Sequence, residues 1–271
     1  MYETVQTPAS FTTTATGNRI LDALPADELN LLRSHAELAP LSRHDTLYEA
    51  NSTIRSIHFP IDGIVSLVCV MKDGGGVETA TIGREGMVGS PVFHGVFTAS
   101  QQAIVQVPGR AYRIDATAFH QLLPQLPTLS TLLHRFSVVM FTLAAQNSGC
   151  NRKHSIEERC CRWMLMVADR LDRDSFELTH DFIAQMLGVR RASVTEALGA
   201  LEKRGLVKTS RGRITLVDRP GLEASVCECY QAIRTAVARL FDGPVNAATA
   251  AHNANNGNNG NGNNNGTHAT I

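Results

Sequence analysis

The stretch LTHDFIAQMLGVRRASVTEALGALE, residues 178–202, contains two helical patterns separated by a glycine. Thr179 stands where a helix N-cap is expected, and Gly188 can adopt the left-handed conformation of a tight turn. Apolar side chains recur at helical spacing on both sides of that turn, at Ile183, Leu187, Val194 and Leu198. The pattern predicts a helix-turn-helix, although other helical hairpins share it.

The residues that follow predict a basic β-hairpin beside the second helix. The segment LEKRGLVKTSRGRITLV, residues 201–217, ends the helix and then forms two strand-like runs around Arg211-Gly212. Residues 190–213 hold seven basic side chains against two acidic ones. Such a wing is typical of DNA-binding domains, in which the basic residues meet base edges and phosphates. The alternative is that these arginines only solvate a surface.

Upstream, residues 36–115 consist of short β-type runs separated by turn residues. The runs are TLYEA, SIHFPI, GIVSLVCVM, GVETATI, QAIVQV and RAYRI. Glycines separate several of them, notably in the turn predicted at Asp62-Gly63. Many short strands at this spacing predict a β-sandwich or β-roll.

Between the two regions the apolar period becomes that of a long helix. Its apolar face is formed by Leu129, Leu132, Leu133, Phe136, Met140 and Leu143. With Val138 and Phe141 flanking it, the stripe is wide enough to contact both the β-domain and a second copy of the helix, so it predicts a homodimer seam. The Ser155-x-x-Glu158 pattern predicts a capping box for the next helix, with an interdomain hinge at 149–154.

Composition agrees with a globular protein of two domains. The chain has 271 residues, of which 43% are hydrophobic and 18% charged, with a formal net charge of zero. No uninterrupted apolar run approaches the roughly 20 residues that span a bilayer, and the N-terminus lacks a signal-peptide pattern. The six cysteines form no disulfide framework. We therefore expect a cytoplasmic protein with free thiols and no membrane partner.

Together these patterns predict an α+β protein with an N-terminal antiparallel β-roll (jelly-roll-like), a long dimerisation helix and a C-terminal winged helix-turn-helix. The predicted boundaries are a flexible N-terminus (1–18), the β-roll sensor domain (19–125), the dimerisation helix (126–150), the winged domain (151–219), a further amphipathic helix (220–243) and a disordered Asn/Gly-rich tail (244–271).

From about residue 20 to 218 the chain resembles the Crp/Fnr family of transcription regulators, most strongly over 178–217. A weaker match is the glycine pattern of the roll, including Gly63 and Gly86-Met87-Val88-Gly89. The resemblance implies a cyclic-nucleotide-binding-type roll and a homodimer that binds a near-palindromic operator in double-stranded DNA. RNA polymerase is the further partner that it implies.

The resemblance also implies roles for single residues of the second helix. Arg191 falls where the family has a base-reading arginine, with Arg190 and Ser193 beside it. Ala192 and Glu196 replace a glutamate and an arginine of the best-known members, so we expect a different operator. The residues predicted to bind DNA are Thr179, Arg190, Arg191, Ser193, Glu196, Lys208, Arg211 and Arg213.

The family's cyclic AMP pocket is incomplete in this sequence. In members that bind cyclic AMP, a Gly-Glu pair holds the ribose and an Arg-Ser or Arg-Thr pair holds the phosphate. Here Gly89-Ser90 and Gln101-Gln102 stand at those places, so the acid and the arginine are missing. Arg84 and Arg110 are nearby substitutes. The candidate effector residues are Arg84, Gly89, Ser90, Gln101 and Gln102, and the effector is unknown.

No metal site or cofactor is predicted. Cys150, His154, Cys160 and Cys161 fall within one short segment and offer metal or redox chemistry, but adjacent cysteines on a helix point about 100° apart. Cys227 and Cys229 are expected on opposite sides of the C-terminal helix. The family's oxygen sensors use an N-terminal cysteine cluster, whereas the first cysteine here is Cys69.

No catalytic signature is visible either, so we expect the protein not to be an enzyme. The β-region offers only dispersed histidines, at His44, His58 and His94, which do not form the metal set of a cupin. Two alternatives stay open behind the DNA-binding regulator. One is a second-messenger or redox sensor that acts through protein contacts, and the less favoured one is a cupin-like enzyme.

Overall fold

The structure, a computed structural model, describes residues 15–72 and 74–243. The predictions for residues 1–14 and for the tail from 244 onward lie outside the described residues. Two short helices come first, α1 (Arg19–Asp22) and α2 (Ala26–Ser34). The Asn18 side chain caps α1 and donates to the carbonyl oxygens of Pro60 and Gly86. Residues 15–18, predicted to be flexible, are therefore held against the roll.

The N-terminal domain is an antiparallel five-stranded roll. Its strands are β1 (Glu37–Leu41), β2 (Thr46–Tyr48), β3 (Ser56–Val70), β4 (Gly76–Ile82) and β5 (Gln102–Asp115). The order is β1-β5-β3-β4, and β2 also pairs with β5. The turn predicted at Asp62-Gly63 is wrong, because β3 continues through it as a bulge. Gly63 has φ 88°, and a side chain on the opposing Gly109 would collide with the backbone of Asp62.

The roll leads through α3 (Ala116–Leu122) and a 3-10 turn into the long helix α4 (Pro127–Lys153). The predicted dimer seam on α4 is wrong. Five of its six side chains are buried within their own chain, and Met140 is half-buried. Phe136, for example, packs against Gly86 of the roll. The buried five are Leu129, Leu132, Leu133, Phe136 and Leu143. The large apolar side chains that α4 exposes are Val138 and Phe141. The face that was predicted to contact a second copy packs instead against the core of the roll.

By length and hydropathy α4 meets the criterion for a membrane span among the described residues. This is weak evidence, because core helices of soluble proteins meet the same criterion, and 39% of its most apolar window is buried inside the fold. The sequence shows no uninterrupted apolar run at α4, because polar residues interrupt it. These polar residues are too few to bring the mean hydropathy of the helix below the range of a membrane span.

The second domain begins at α5 (Ile156–Leu171), whose capping box forms as predicted. The Ser155 hydroxyl accepts a bond from the Glu158 backbone N–H, and the Glu158 carboxylate accepts one from the Ser155 N–H. The break before it is narrower than the predicted hinge, because α4 stays helical to Lys153 and only His154 and Ser155 are extended.

The winged helix-turn-helix is confirmed. Its elements are β6 (Ser175–Glu177), α6 (His180–Leu187), α7 (Arg191–Lys203), β7 (Val207–Ser210) and β8 (Arg213–Leu216), and the sheet order is β6-β8-β7. An α+β fold with roll, long helix and winged domain is therefore what the chain adopts.

The C-terminal region differs from the single helix predicted for 220–243. It forms two helices, α8 (Arg219–Ser225) and α9 (Cys229–Arg239), separated at Val226, which is extended. α9 lies along α4, where the Arg135 guanidinium donates to the Asp242 carbonyl oxygen over 2.8 Å.

This break also brings together four potential metal ligands that the sequence did not predict as a set. On a continuous helix Cys227 and Cys229 would point about 200° apart, whereas the break turns both toward Cys150 and His154 at the end of α4. Cys160 and Cys161 do not join them, since both are buried in α5, where burial raises the pKa of each thiol to about 12.

Candidate nucleic-acid interface

The two helices of the motif cross over a small core of their own. The Thr179 hydroxyl accepts a bond from the Phe182 N–H and so begins α6. Gly188 ends that helix with φ 63° and lies against Val77 of the roll, so the turn requires glycine for both conformation and space. The predicted core is confirmed, since Ile183, Leu187, Val194 and Leu198 are all buried.

The solvent-facing side of α7 carries the residues predicted to read DNA. Arg190 is its N-cap residue and Arg191 its first residue, and both are exposed, as is Glu196 one turn further on. Ser193 is half-buried and therefore less exposed than these three residues. Arg191 forms an ion pair with Asp181 at 3.4 Å, but both side chains are about two-thirds exposed. Because exposed pairs contribute little, a phosphate or a base could displace this one.

The wing presents two arginines with different surroundings. Arg211 and Gly212 form its tip with φ 47° and 77°, and Arg211 has no ion-pair partner among the described residues. The Arg213 guanidinium donates to the Glu177 carboxylate over 2.7 Å, and Glu177 also binds Arg43 of the roll. Arg211 is thus the better placed of the two to meet a phosphate, and sequence reasoning did not separate them.

One cleft of about 380 Å³ joins the start of the motif to the wing. Of the eight residues predicted to bind DNA, Thr179, Arg191, Arg211 and Arg213 line it. Arg190, Ser193, Glu196 and Lys208 do not belong to its lining.

Sequence reasoning missed three polar residues near this cleft. Asp181 pairs with Arg191, and the His180 Nδ1 lies 3.0 Å from the Thr195 Oγ1 across the two helices. Their only sequence signal was polarity on the exposed side of each helix.

The predicted effector residues of the roll lie at a 3-10 turn and at the start of β5. Gly89, with φ 92°, starts a 3-10 turn at Ser90, while the Gln101 amide donates to Thr79. Gln102 donates to Glu49 over 2.9 Å.

The two substitute arginines are engaged by carboxylates elsewhere. Arg84 faces Asp172 of the second domain at 3.7 Å, and Arg110 pairs with Asp62 at 3.0 Å. Arg84 lines a cavity of about 470 Å³ between the roll and α5, and its role as an effector residue stays a prediction.

Buried polar contacts connect the roll to α5. The Trp163 indole N–H donates to the Glu78 carboxylate over 3.2 Å, and burial raises the pKa of Glu78. Arg170 forms an ion pair with Glu85 at 2.8 Å. These contacts connect the winged domain to β4 and to the loop that follows it.

The histidines of the roll do not form a metal site within residues 15–72 and 74–243. His58 is buried, and desolvation lowers the pKa of its imidazole to about 4. The His94 Nε2 lies 2.8 Å from the Ser137 hydroxyl, and the His44 ring is tilted against the Phe182 ring with 5.8 Å between the ring centroids.

Comparison with known protein families also divides the chain into an N-terminal and a C-terminal domain. A family model described as a cyclic nucleotide-binding domain matches residues 39–125, and one described as a Crp-like helix-turn-helix domain matches residues 158–225. No curated protein matches the chain in sequence.

Among solved structures, a protein described as a Crp/Fnr family regulator from Eubacterium rectale matches with TM-score 0.60 and 16% identity, over 78% of this chain and 99% of that one. FixK2 from Bradyrhizobium japonicum matches with TM-score 0.62 and 15% identity, over 71% and 98%. The c-di-GMP-responsive regulator CLP from Xanthomonas campestris matches with TM-score 0.58 and 13% identity, over 71% and 99%. At these identities the likeness establishes the fold.

Proposed function

The chain belongs to the Crp/Fnr family of DNA-binding transcription regulators, and from this premise we propose that it binds a near-palindromic operator as a homodimer. Two-fold protein symmetry would place the two copies of α7 in successive major grooves about one helical turn apart. RNA polymerase is the protein partner that we propose, and the cytoplasm is the compartment. We further propose that the protein is not an enzyme.

One observation carries the proposed mode of DNA binding: Arg191 and Arg211 line the same solvent-exposed cleft. An arginine at the N-terminal end of a recognition helix can form two hydrogen bonds with a guanine edge. An arginine at the tip of a wing can reach the flanking phosphates. The two side chains would therefore contribute to specificity and to general affinity, respectively.

We expect Arg191→Ala to lose sequence discrimination by about 1–3 kcal/mol, because a base contact is removed. We expect Arg211→Ala to weaken binding to all DNA sequences alike and to lower the salt dependence by about one phosphate contact. Fluorescence anisotropy with the selected operator and a scrambled duplex, over a salt series, measures both. Arg33→Ala, an exposed change on α2, is the control. Wild-type binding by both variants would contradict the assignment.

The proposed dimer requires an apolar seam that the monomer leaves exposed. Val138 is 65% and Phe141 76% exposed. With His134 and Ala145 they follow a spacing of four, three and four residues along α4. This is the heptad spacing of a two-stranded coiled coil. We call this set the α4 seam. It contains Val138 and Phe141, which flank the stripe predicted from the sequence, together with His134 and Ala145.

We propose that cyclic AMP is not the effector. Ser90 and Gln101 offer neither the carboxylate nor the guanidinium that the family resemblance requires. Each lost charged contact costs about 1.5–3 kcal/mol, or roughly ten- to a hundredfold in affinity.

Calorimetric titration with cyclic AMP and cyclic GMP is expected to give no heat of binding at micromolar concentrations. The variant Ser90→Glu/Gln101→Arg restores both charged groups and is the positive control. A micromolar dissociation constant for the wild-type chain would overturn the proposal.

A further inference from the structure

Four potential metal ligands meet where α4, α5 and α9 join. Cys150 lies in the last turn of α4 and His154 ends that helix, while Cys227 and Cys229 flank the start of α9. All four donor atoms lie within 4.8 Å of one another. The three cysteines pack against each other and Val226 as a small buried cluster separate from the main core. We call these four residues the Cys3His cluster.

Two of the distances between ligand atoms in the cluster match the edges of a tetrahedron around zinc. Zn–S bonds of about 2.3 Å and Zn–N bonds of about 2.0–2.1 Å imply edges of about 3.8 Å between two sulfurs and about 3.6 Å between sulfur and nitrogen. The Cys150 and Cys227 sulfurs are 3.7 Å apart, and the Cys229 sulfur is 3.6 Å from the His154 Nδ1. Three thiolates and one imidazole are a common ligand set of structural zinc sites.

A carboxylate orients the histidine for this role. While the Nδ1 of His154 faces the sulfurs, its Nε2 lies 3.2 Å from the Glu228 carboxylate. Metal-bound histidines usually donate their second ring N–H to such an acceptor, which selects the tautomer and holds the ring in place.

A buried cation next to the cluster would offset its charge. Three thiolates and Zn²⁺ carry one net negative charge, which is costly to bury without compensation. Arg162 of α5 is buried, and its positive charge acts on the Cys150 sulfur.

We propose that Cys150, His154, Cys227 and Cys229 bind one Zn²⁺ ion. Binding releases the protons of the three thiols to solvent and involves no oxidation. The ion would connect the end of α4 to the start of α9 and would fix His154, the residue at which the chain turns from α4 into α5. The proposal goes beyond the proposed function, because its readouts do not depend on DNA.

The test uses the full-length chain purified under reducing conditions. Elemental analysis is expected to find about one zinc per chain, and Cys150→Ser and His154→Gln should lose most of it. Cys69→Ser, which changes a half-buried cysteine of β3, is the matched control and should keep the metal. Glu228→Gln keeps all four ligands and is expected to weaken metal affinity about tenfold.

Co²⁺ substitution gives a readout that does not depend on the folding of the variants. The wild-type chain loaded with Co²⁺ should show thiolate-to-cobalt charge-transfer absorption and the intense visible bands of tetrahedral cobalt. Equal zinc content in the wild-type protein and in Cys150→Ser, or a Co²⁺ spectrum without charge transfer, would overturn the proposal. A Cys150–Cys227 disulfide in the reduced wild-type preparation, seen as a loss of two hydrogens by mass spectrometry, would overturn it as well.

Discussion

Replacing Phe141 by glutamate is expected to convert the dimer to a monomer and to reduce operator affinity about 100- to 10,000-fold, the range by which joining two binding modules strengthens binding. The Phe141 ring contacts little of its own chain, so the substitution should leave the monomer folded. In the α4 seam, however, two glutamates would face each other where apolar side chains should meet.

Sedimentation velocity at micromolar concentration measures the assembly, and anisotropy titration measures the affinity. Leu38→Glu changes a side chain that is also large, apolar and exposed, but that lies on β1 of the roll, so it is the matched control and should remain dimeric. A Phe141→Glu chain that sediments as a dimer would show that α4 does not pair through this stripe.

The second large effect is expected from Arg170→Met, which should lower the free energy of unfolding by about 3–5 kcal/mol. The Arg170 and Glu85 side chains are each only 7% exposed. Removing the guanidinium leaves the Glu85 carboxylate buried without its counter-charge. It also removes the bonds that Arg170 donates to the carbonyl oxygens of Met166 and Thr81.

Urea denaturation followed by the fluorescence of Trp163 is a suitable measurement, since this is the only tryptophan of the chain and it lies in the same interface. Arg84→Met is the matched control, because the Arg84–Asp172 pair is 37% and 81% exposed and should contribute less than about 1 kcal/mol. The double variant Arg170→Met/Glu85→Leu should recover part of the loss, because no buried charge remains. Equal destabilisation by Arg170→Met and Arg84→Met would contradict this account.

Local sequence signals were sufficient for the DNA-binding domain. The capping residue Thr179, the turn glycine Gly188 and the apolar positions of α6 and α7 all interact within a few residues of one another. The residues of the α5 capping box and of the two paired strands of the wing are also close to one another in the sequence. Periodicity and caps describe contacts of this range, so these elements could be read directly.

Contacts between distant segments could be assigned only from the tertiary structure. Periodicity identified the apolar face of α4, but it cannot show which surface that face packs against. The packing of Phe136 on Gly86 shows that this face is buried against the roll. That packing leaves Val138 and Phe141 exposed.

Cys150 and Cys227 are separated by 77 positions and meet only because the chain breaks at Val226. No local pattern encodes a break that brings distant residues together. The sequence therefore determined the elements whose contacts are local, such as α6, α7 and the wing. The packing of the whole chain determined the break at Val226 and which surfaces of the elements stay exposed.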